Sequence, residues 1–349
     1  MKFLDPRITQ LAPYVPGEQP QTNDFIKLNT NESAYPPAPG VVEAVEVAAG
    51  RLQLYSDPTC RDLLRELADY LAVPATNLFV GNGSDEVLAF CFQGLMGQGV
   101  AYPDITYGFY PVFAQLYGLK AQVIPLREDL SIELADYADF KGTIIFANPN
   151  APTSLGLPAA AILALVEADP ERLVIVDEAY VEFGGQSMVP YVKEHANLLV
   201  VGTFSKSWQL AGARLGYAVG QPALINELNR IKFSFNPYSV NAMTMAGGIA
   251  ALKAREYHQE CLAKTIATRE WTAQALENLG FTVLPSETNF LFVKHPIVSG
   301  KVLYPALKER NILVRWFDKA RIQDYLRITI GTPEQMAQLL ATLQELVNE

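Results

Sequence analysis

Histidine and cysteine are scarce in this chain, with three of each in 349 residues. His195, His258 and His295 neither pair nor cluster at metal-ligand spacing, which argues against a transition-metal enzyme. Cys60, Cys91 and Cys261 are odd in number and widely spaced. They offer no disulfide framework and no zinc pattern, and a reducing cytoplasm suits them. Positive charge is also short: 27 Lys and Arg stand against 37 Asp and Glu, a net charge of −10. That balance argues against nucleic acid or an anionic membrane as the main partner. It leaves room for a small anionic ligand, because a few local arginines set the sign of a pocket. No apolar run is long enough to span a membrane, and "MKFLDPRITQLAPYVPGEQ" at the start has no signal-peptide core.

Apolar residues are plentiful, at 50% of the chain, and charged ones make up only 18%. A sizeable core follows, and the length suggests two domains or one large one. Residues 1–27 are rich in proline and polar side chains and read as an N-terminal arm. From 28 to 240, short apolar runs alternate with helical patterns. "NLFVGNG" reads as a strand into a glycine turn, and "SDEVLAFCFQGLM" as a helix with Ser84 at its N-cap. "GTIIFANPN", "RLVIVDEAY", "NLLVVGTFS" and "RLGYAVG" are near-continuous apolar strands without clean alternation. Such strands belong to a sheet covered by helices on both faces, an α/β fold. Residues 241–349 change texture, with one long helical pattern followed by interleaved short strands and helices. They read as a smaller α+β domain.

Polar residues gather at the ends of the predicted strands. The "GNGSDE" turn, with Gly83, Ser84 and Asp85, follows "LFV"; Asn148 and Asn150 follow "TIIFA"; Asp177 follows "LVIV"; Ser205 and Lys206 follow "LLVVGTF". Taken singly, each has a plain structural reading as a cap or turn residue. Together they occupy the edge of a parallel sheet where ligands bind. A turn of backbone amides at a helix start suits a phosphate, although the glycine-lysine-serine ending of a P-loop is missing. Arg214 adds a permanent cation, and Thr203 and Ser205 add hydroxyls. Buried Asp177 needs a cationic partner, and a lysine in a desolvated pocket becomes a nucleophile toward aldehydes. Pyridoxal phosphate answers all four demands. Its aldehyde takes Lys206, its ring nitrogen Asp177, and its phosphate the Ser84 turn with Arg214. Tyr107 in "DITYGFYP" is the candidate to cover the ring.

With "GNGSDE", "TYGFYP", "NPNAPTS", "VDEAYVEF", "TFSKSWQLAGARLGY" and "LRITIGTPEQ" in this order, the chain resembles the fold-type I aminotransferases of the aspartate aminotransferase class. Within that class it is most similar to the histidinol-phosphate aminotransferases, also through "LNTNE" near residue 28. The resemblance implies a mostly parallel seven-stranded sheet in a large cofactor-binding domain. It implies transfer of an amino group between histidinol phosphate and 2-oxoglutarate, giving imidazole-acetol phosphate and glutamate, in histidine biosynthesis. It also implies roles for further residues: Lys206 as general base and acid, Tyr180 on the cofactor's ring oxygen, Arg327 on the substrate's anionic end, and Arg315 on the phosphate of histidinol phosphate. Tyr55 would reach the cofactor phosphate of a neighbouring subunit, so a homodimer is implied. Without the resemblance, Arg315 and Arg327 read equally well as solvated strand charges.

One position departs from the pattern. Such enzymes carry an asparagine just before the Pro-Thr of "NPNAPTS", where it contacts the ring oxygen. Here that residue is Ala151, and Ser154 replaces the glycine after the threonine. Asn150 and Tyr180 are the candidates to make the missing contact. Aromatic amino-acid aminotransferases and threonine-phosphate decarboxylases share the fold and are the rival activities. A non-catalytic ligand sensor is disfavoured by the intact Lys206, Asp177 and Arg214.

Overall fold

The computed structural model describes residues 3, 5–22 and 24–348. Residues 1, 2, 4 and 23 of the expected N-terminal arm lie outside them. The strands are β1 Ile26–Lys27, β2 Leu78–Asn82, β3 Val100–Pro103, β4 Ala121–Ile124, β5 Thr143–Ala147, β6 Val174–Asp177, β7 Leu198–Thr203, β8 Leu215–Gly220, β9 Thr282–Val283, β10 Phe290–Lys294, β11 Ile312–Leu313, β12 Arg315–Trp316 and β13 Tyr325–Thr329. The helices are α1 Pro6–Thr9, α2 Val41–Ala49, α3 Arg61–Leu71, α4 Gly83–Gly94, α5 Phe109–Leu116, α6 Ala159–Glu167, α7 Pro222–Phe235, α8 Ala242–Lys253, α9 Arg255–Asn278, α10 Gly300–Glu309 and α11 Pro333–Asn348.

The main sheet has seven strands in the order β2-β8-β7-β6-β5-β3-β4. β8 runs antiparallel to both neighbours and the other pairings are parallel. Its central strands are apolar throughout because both faces are covered. The pleat sends alternate residues to opposite sides. Ile144, Phe146, Val174, Val176, Leu198 and Val200 pack beneath α2, α3, α6 and α8. Ile145, Ile175, Leu199 and Val201 pack against α4, α5 and α7. Burying each such side chain contributes about 1.5–3 kcal/mol relative to exposure.

A second layer is built from β12-β13-β10-β9, with α9, α10 and α11 closing a separate core around Leu291, Val293, Leu326, Ile328, Met336 and Leu339. Two segments cross the boundary expected from texture. α8 packs on α2, α3 and β8 through Ala251 and Leu252, on the side of the large sheet. Its small residues Gly247 and Gly248 sit against Val45, Leu215 and Leu63. Conversely, Leu28 joins the smaller core, because β1 pairs in parallel with β11, Ile26 opposite Ile312.

Candidate active site

Parallel strands end on one edge, so β5, β6 and β7 deliver Ala147, Asp177 and Thr203 to the same place. β2 runs in the same direction and hands the chain to the N-terminus of α4 at Gly83. β8 runs the opposite way, so the residue just before it, Arg214, arrives at that edge as well. A small cavity there is lined by Ser84, Asp85, Tyr107, Ala151, Asp177, Tyr180, Thr203, Ser205, Lys206 and Arg214. Nearly all the residues singled out in the sequence are therefore brought together.

Arg214 adopts a left-handed backbone, φ 55°, and aims its guanidinium back at the α4 turn. Its Nη2 donates to Asp85 Oδ2 at 2.8 Å and its Nη1 to Ser205 Oγ at 3.4 Å. Gly83, φ 75°, makes this possible: a Cβ there would lie 2.5 Å from Arg214 Nη2. Gly216 plays the same part on the other side, since its Cβ would sit 2.2 Å from the Ser84 nitrogen. Thr203 Oγ1 donates to Ser205 Oγ at 3.0 Å and accepts from the Ser205 N–H. The result is a cup of hydroxyls, a helix N-terminus and a guanidinium, the donor set for a phosphate.

Asp177 is buried at the centre. Its Oδ2 accepts from the Tyr110 hydroxyl at 3.0 Å and its Oδ1 from the Ala179 N–H at 3.3 Å. Burial pushes its carboxyl up to about 6, with the Tyr110 hydrogen bond opposing the rise. A buried carboxylate without an ion-pair partner among the described residues suits a protonated ring nitrogen. Lys206 is half-buried, with its Nζ 3.4 Å from the Thr30 carbonyl oxygen and 5.7 Å from the Tyr180 ring centroid. The Tyr180 hydroxyl accepts from Asn31 Nδ2 at 2.8 Å. Tyr107 donates to Asp85 Oδ1 at 2.5 Å, so Asp85 ties the Tyr107 ring to the cup around Arg214.

Next to this cup lies a cavity of about 500 Å³. Lys206, Arg315, Lys319 and Arg327 line it, together with Tyr14, Tyr107, Tyr180 and Phe317, and no Asp or Glu does. Arg327 donates to the Asn29 carbonyl at 3.0 Å and lies over the Phe290 and Phe317 rings. Burial lowers its pKa. Arg315 donates to the carbonyls of Val15 and Pro16, at 3.2 and 3.4 Å. These bonds hold the N-terminal arm across the cavity, where Tyr14 stacks on Phe109 at 4.3 Å. The two arginines thus face the pocket rather than solvent.

Two expected residues are placed elsewhere. Asn150 is buried away from the cup, donating to the Ile105 carbonyl and Thr153 Oγ1 and accepting from Thr106 Oγ1. Its amide is fully used in holding its own loop, so Ala151 alone of that pair faces the site. Tyr55 is 85% exposed and stacks on Tyr238 at 4.6 Å, outside both cavities. The sequence reading missed Tyr14, Tyr110 and Asn31. Tyr14 gave no signal beyond an aromatic between prolines. Tyr110 was within reach, three residues beyond Tyr107 in the first turn of α5. Asn31 sits in the quoted "LNTNE" with a left-handed φ of 55°. The described residues contain no group of His, Cys, Asp and Glu placed to hold a metal ion, and no helix long and apolar enough to cross a membrane.

A lysine, a buried aspartate and a phosphate cup on the edge of this sheet define an amino-group-transferring enzyme, and the chain belongs to the class I and II aminotransferases, whose family model matches residues 23–343. Its full-length relatives narrow the class. It is 49% identical over 348 residues to histidinol-phosphate aminotransferase 1 of Bradyrhizobium diazoefficiens, covering 99% of each chain. It is 50% identical over 352 residues to the histidinol-phosphate aminotransferase of Marinomonas sp., again with 99% of each covered. Among solved structures it resembles histidinol-phosphate aminotransferase from Sinorhizobium meliloti in complex with pyridoxal-5′-phosphate, at 25% identity and a TM-score of 0.89, covering 100% of this chain and 98% of that one.

Proposed function

We propose that this chain is a pyridoxal-phosphate-dependent histidinol-phosphate aminotransferase, interconverting histidinol phosphate plus 2-oxoglutarate and imidazole-acetol phosphate plus glutamate. The observation that carries the reading is the pairing of the Lys206–Asp177–Arg214 cup with a cavity lined by four cations and no carboxylate, in a chain of net charge −10. A phosphate ester and a dicarboxylate are both anionic, and guanidinium forks bind either.

Pyridoxal phosphate, when bound, supplies an aldehyde for amines and a ring that withdraws electrons from the substrate carbon. The chain's own groups do the rest. Ser84, Thr203, Ser205 and Arg214 would hold the phosphate, with Gly83 leaving room for the guanidinium. Asp177 would serve the ring nitrogen and keep a proton on it, with Tyr110 holding that carboxylate in place. Tyr107 would cover the ring and Tyr180 would serve its oxygen. Lys206 Nζ would anchor the cofactor and carry the proton at the amine-bearing carbon. Arg315 and Arg327 fix the substrate's anionic end, and the arm around Tyr14 excludes water.

The assembly we infer is a homodimer. Leu52, Leu54 and Tyr55 are exposed beside Phe235 and Tyr238, and the Tyr55–Tyr238 stack joins the two segments into one apolar patch. Tyr55 would then serve the partner's cofactor. Sedimentation at micromolar concentration checks this, and a monomer there refutes it. A cytoplasmic location belongs to the same reading, supported by three free, buried cysteines.

The test is a half-reaction screen with histidinol phosphate, phenylalanine and glutamate, read by visible cofactor absorbance. Histidinol phosphate and glutamate should both discharge the absorbance, and Lys206→Ala should abolish it. Discharge by phenylalanine but not histidinol phosphate would assign the protein to the aromatic enzymes instead.

A further inference from the structure

Behind Lys206, away from the substrate cavity, lies a partly buried carboxylate that the proposed chemistry does not use. Glu182 follows Tyr180 by two residues, on the turn after β6. Its Oε1 accepts from the Tyr70 hydroxyl of α3, and its Oε2 from the Ser207 hydroxyl, next to Lys206 in the chain. His258 Nε2, on α9, lies 3.7 Å from the same Oε2 and has no hydrogen-bond partner of its own. The His258 ring stacks on Trp208 at 3.7 Å with 5° between planes, and Tyr70 meets Trp208 edge-on at 4.9 Å. Residues from three distant stretches of sequence thus converge on one acceptor.

Lys206 gives this arrangement a purpose. Within the site its Nζ makes one polar contact, at 3.4 Å to a backbone carbonyl. Nothing there grips the nitrogen, so its position is set by the backbone on either side. On one side Ser205 is tied to Thr203 and Arg214. On the other, the anchor is Ser207 on Glu182. Glu182 also fixes the turn that carries Tyr180, and through His258 it meets the first helix of the smaller layer.

We propose that Glu182 is a positioning residue for Lys206: it locks the Ser207–Trp208 turn, and His258 and Tyr70 hold Glu182 in register. It acts through Ser207 and touches neither cofactor nor substrate. This rests on Lys206 being the cofactor lysine. A carboxylate that accepts on both oxygens is replaced poorly by an amide, which presents an N–H to one of the two donors. A displacement of the order of 1 Å at a reacting atom costs about 100-fold in rate.

The experiment compares wild type, Glu182→Gln, Ser207→Ala and His258→Gln, each loaded with pyridoxal phosphate. It reads the pH midpoint of the lysine-dependent visible absorbance and, separately, kcat and KM. Glu182→Gln should move the midpoint and lower kcat about 10- to 100-fold with KM nearly unchanged. Ser207→Ala, which removes one small hydroxyl, should reproduce the direction of both effects in a chain that unfolds at the wild-type temperature. An unmoved midpoint and wild-type kcat in both Glu182→Gln and Ser207→Ala would overturn the proposal. If instead wild type shows no lysine-dependent absorbance, it is the assignment of Lys206 that fails.

Discussion

Replacing Asp177 by asparagine should make the cofactor-free protein more stable and the enzyme nearly inert. Burial raises the Asp177 carboxyl from 3.8 to about 6. Between those values the folded chain holds more protons than the unfolded one, so stability falls as pH rises through the window and the loss is complete above it. A shift of about two units corresponds to about 3 kcal/mol lost at pH 8, and about 1 kcal/mol at pH 4.5. Asparagine avoids the charge but offers one acceptor oxygen where Asp177 uses two, on Tyr110 and Ala179. The missing hydrogen bond costs about 1 kcal/mol. The net gain is about 2 kcal/mol at pH 8 and about zero at pH 4.5. Urea unfolding of cofactor-free wild type and Asp177→Asn at the two pH values measures the difference. In the loaded enzyme the same change removes the anion proposed to serve the ring nitrogen and should lower kcat by 100-fold or more. A variant no more stable at pH 8 than wild type, or one that keeps its turnover, would refute this account of Asp177.

Other substitutions test the two cavities separately. Gly83→Ala places a methyl group 2.5 Å from Arg214 Nη2 on a left-handed backbone; cofactor affinity, read by absorbance titration, should fall at least 10-fold while the far-ultraviolet spectrum is unchanged. Arg327→Gln should raise KM for glutamate and 2-oxoglutarate by 10-fold or more, since a charge-assisted contact contributes about 1.5–3 kcal/mol, and should leave the absorbance of the resting enzyme as it was. Arg315→Gln removes the clasp on Val15 and Pro16 together with the proposed substrate contact; limited proteolysis should then cut the arm faster, alongside a higher KM for histidinol phosphate.

The convergence of the candidate cofactor residues was legible because they occupy positions that topology determines. Asp177 and Lys206 stand at the ends of unmistakable apolar runs, and strands that run in parallel bring such ends together. Arg214 was legible for the same reason in reverse, just before β8, the strand of the seven-stranded sheet that runs against its neighbours. The seven-stranded, mostly parallel sheet followed from those runs and the family motifs. Asn150 misled because a polar residue beside a cavity and one that braces a loop look alike in sequence; only the bonds to Ile105 and Thr153 separate them. Tyr110 and Glu182 act through a neighbour rather than on a ligand, and no spacing rule marks such residues. The placement of α8 was hidden by small residues, Gly247 and Gly248, that say how closely a helix packs but not against which partner.

The pairing of Ile26 with Ile312 sets an order of maturation. A growing chain folds from its N-terminal side as it is made. The residues of the candidate cofactor cup, from Gly83 to Arg214, can assemble once β8 has been made. β1 has no strand beside it until Ile312 has been synthesised, and the arm's clasp on Arg315 and the Asn29 contact to Arg327 come later still. The cup around Arg214 can therefore form mid-synthesis, while the cavity beside it waits for Arg315 and Arg327, with α11 still to be made.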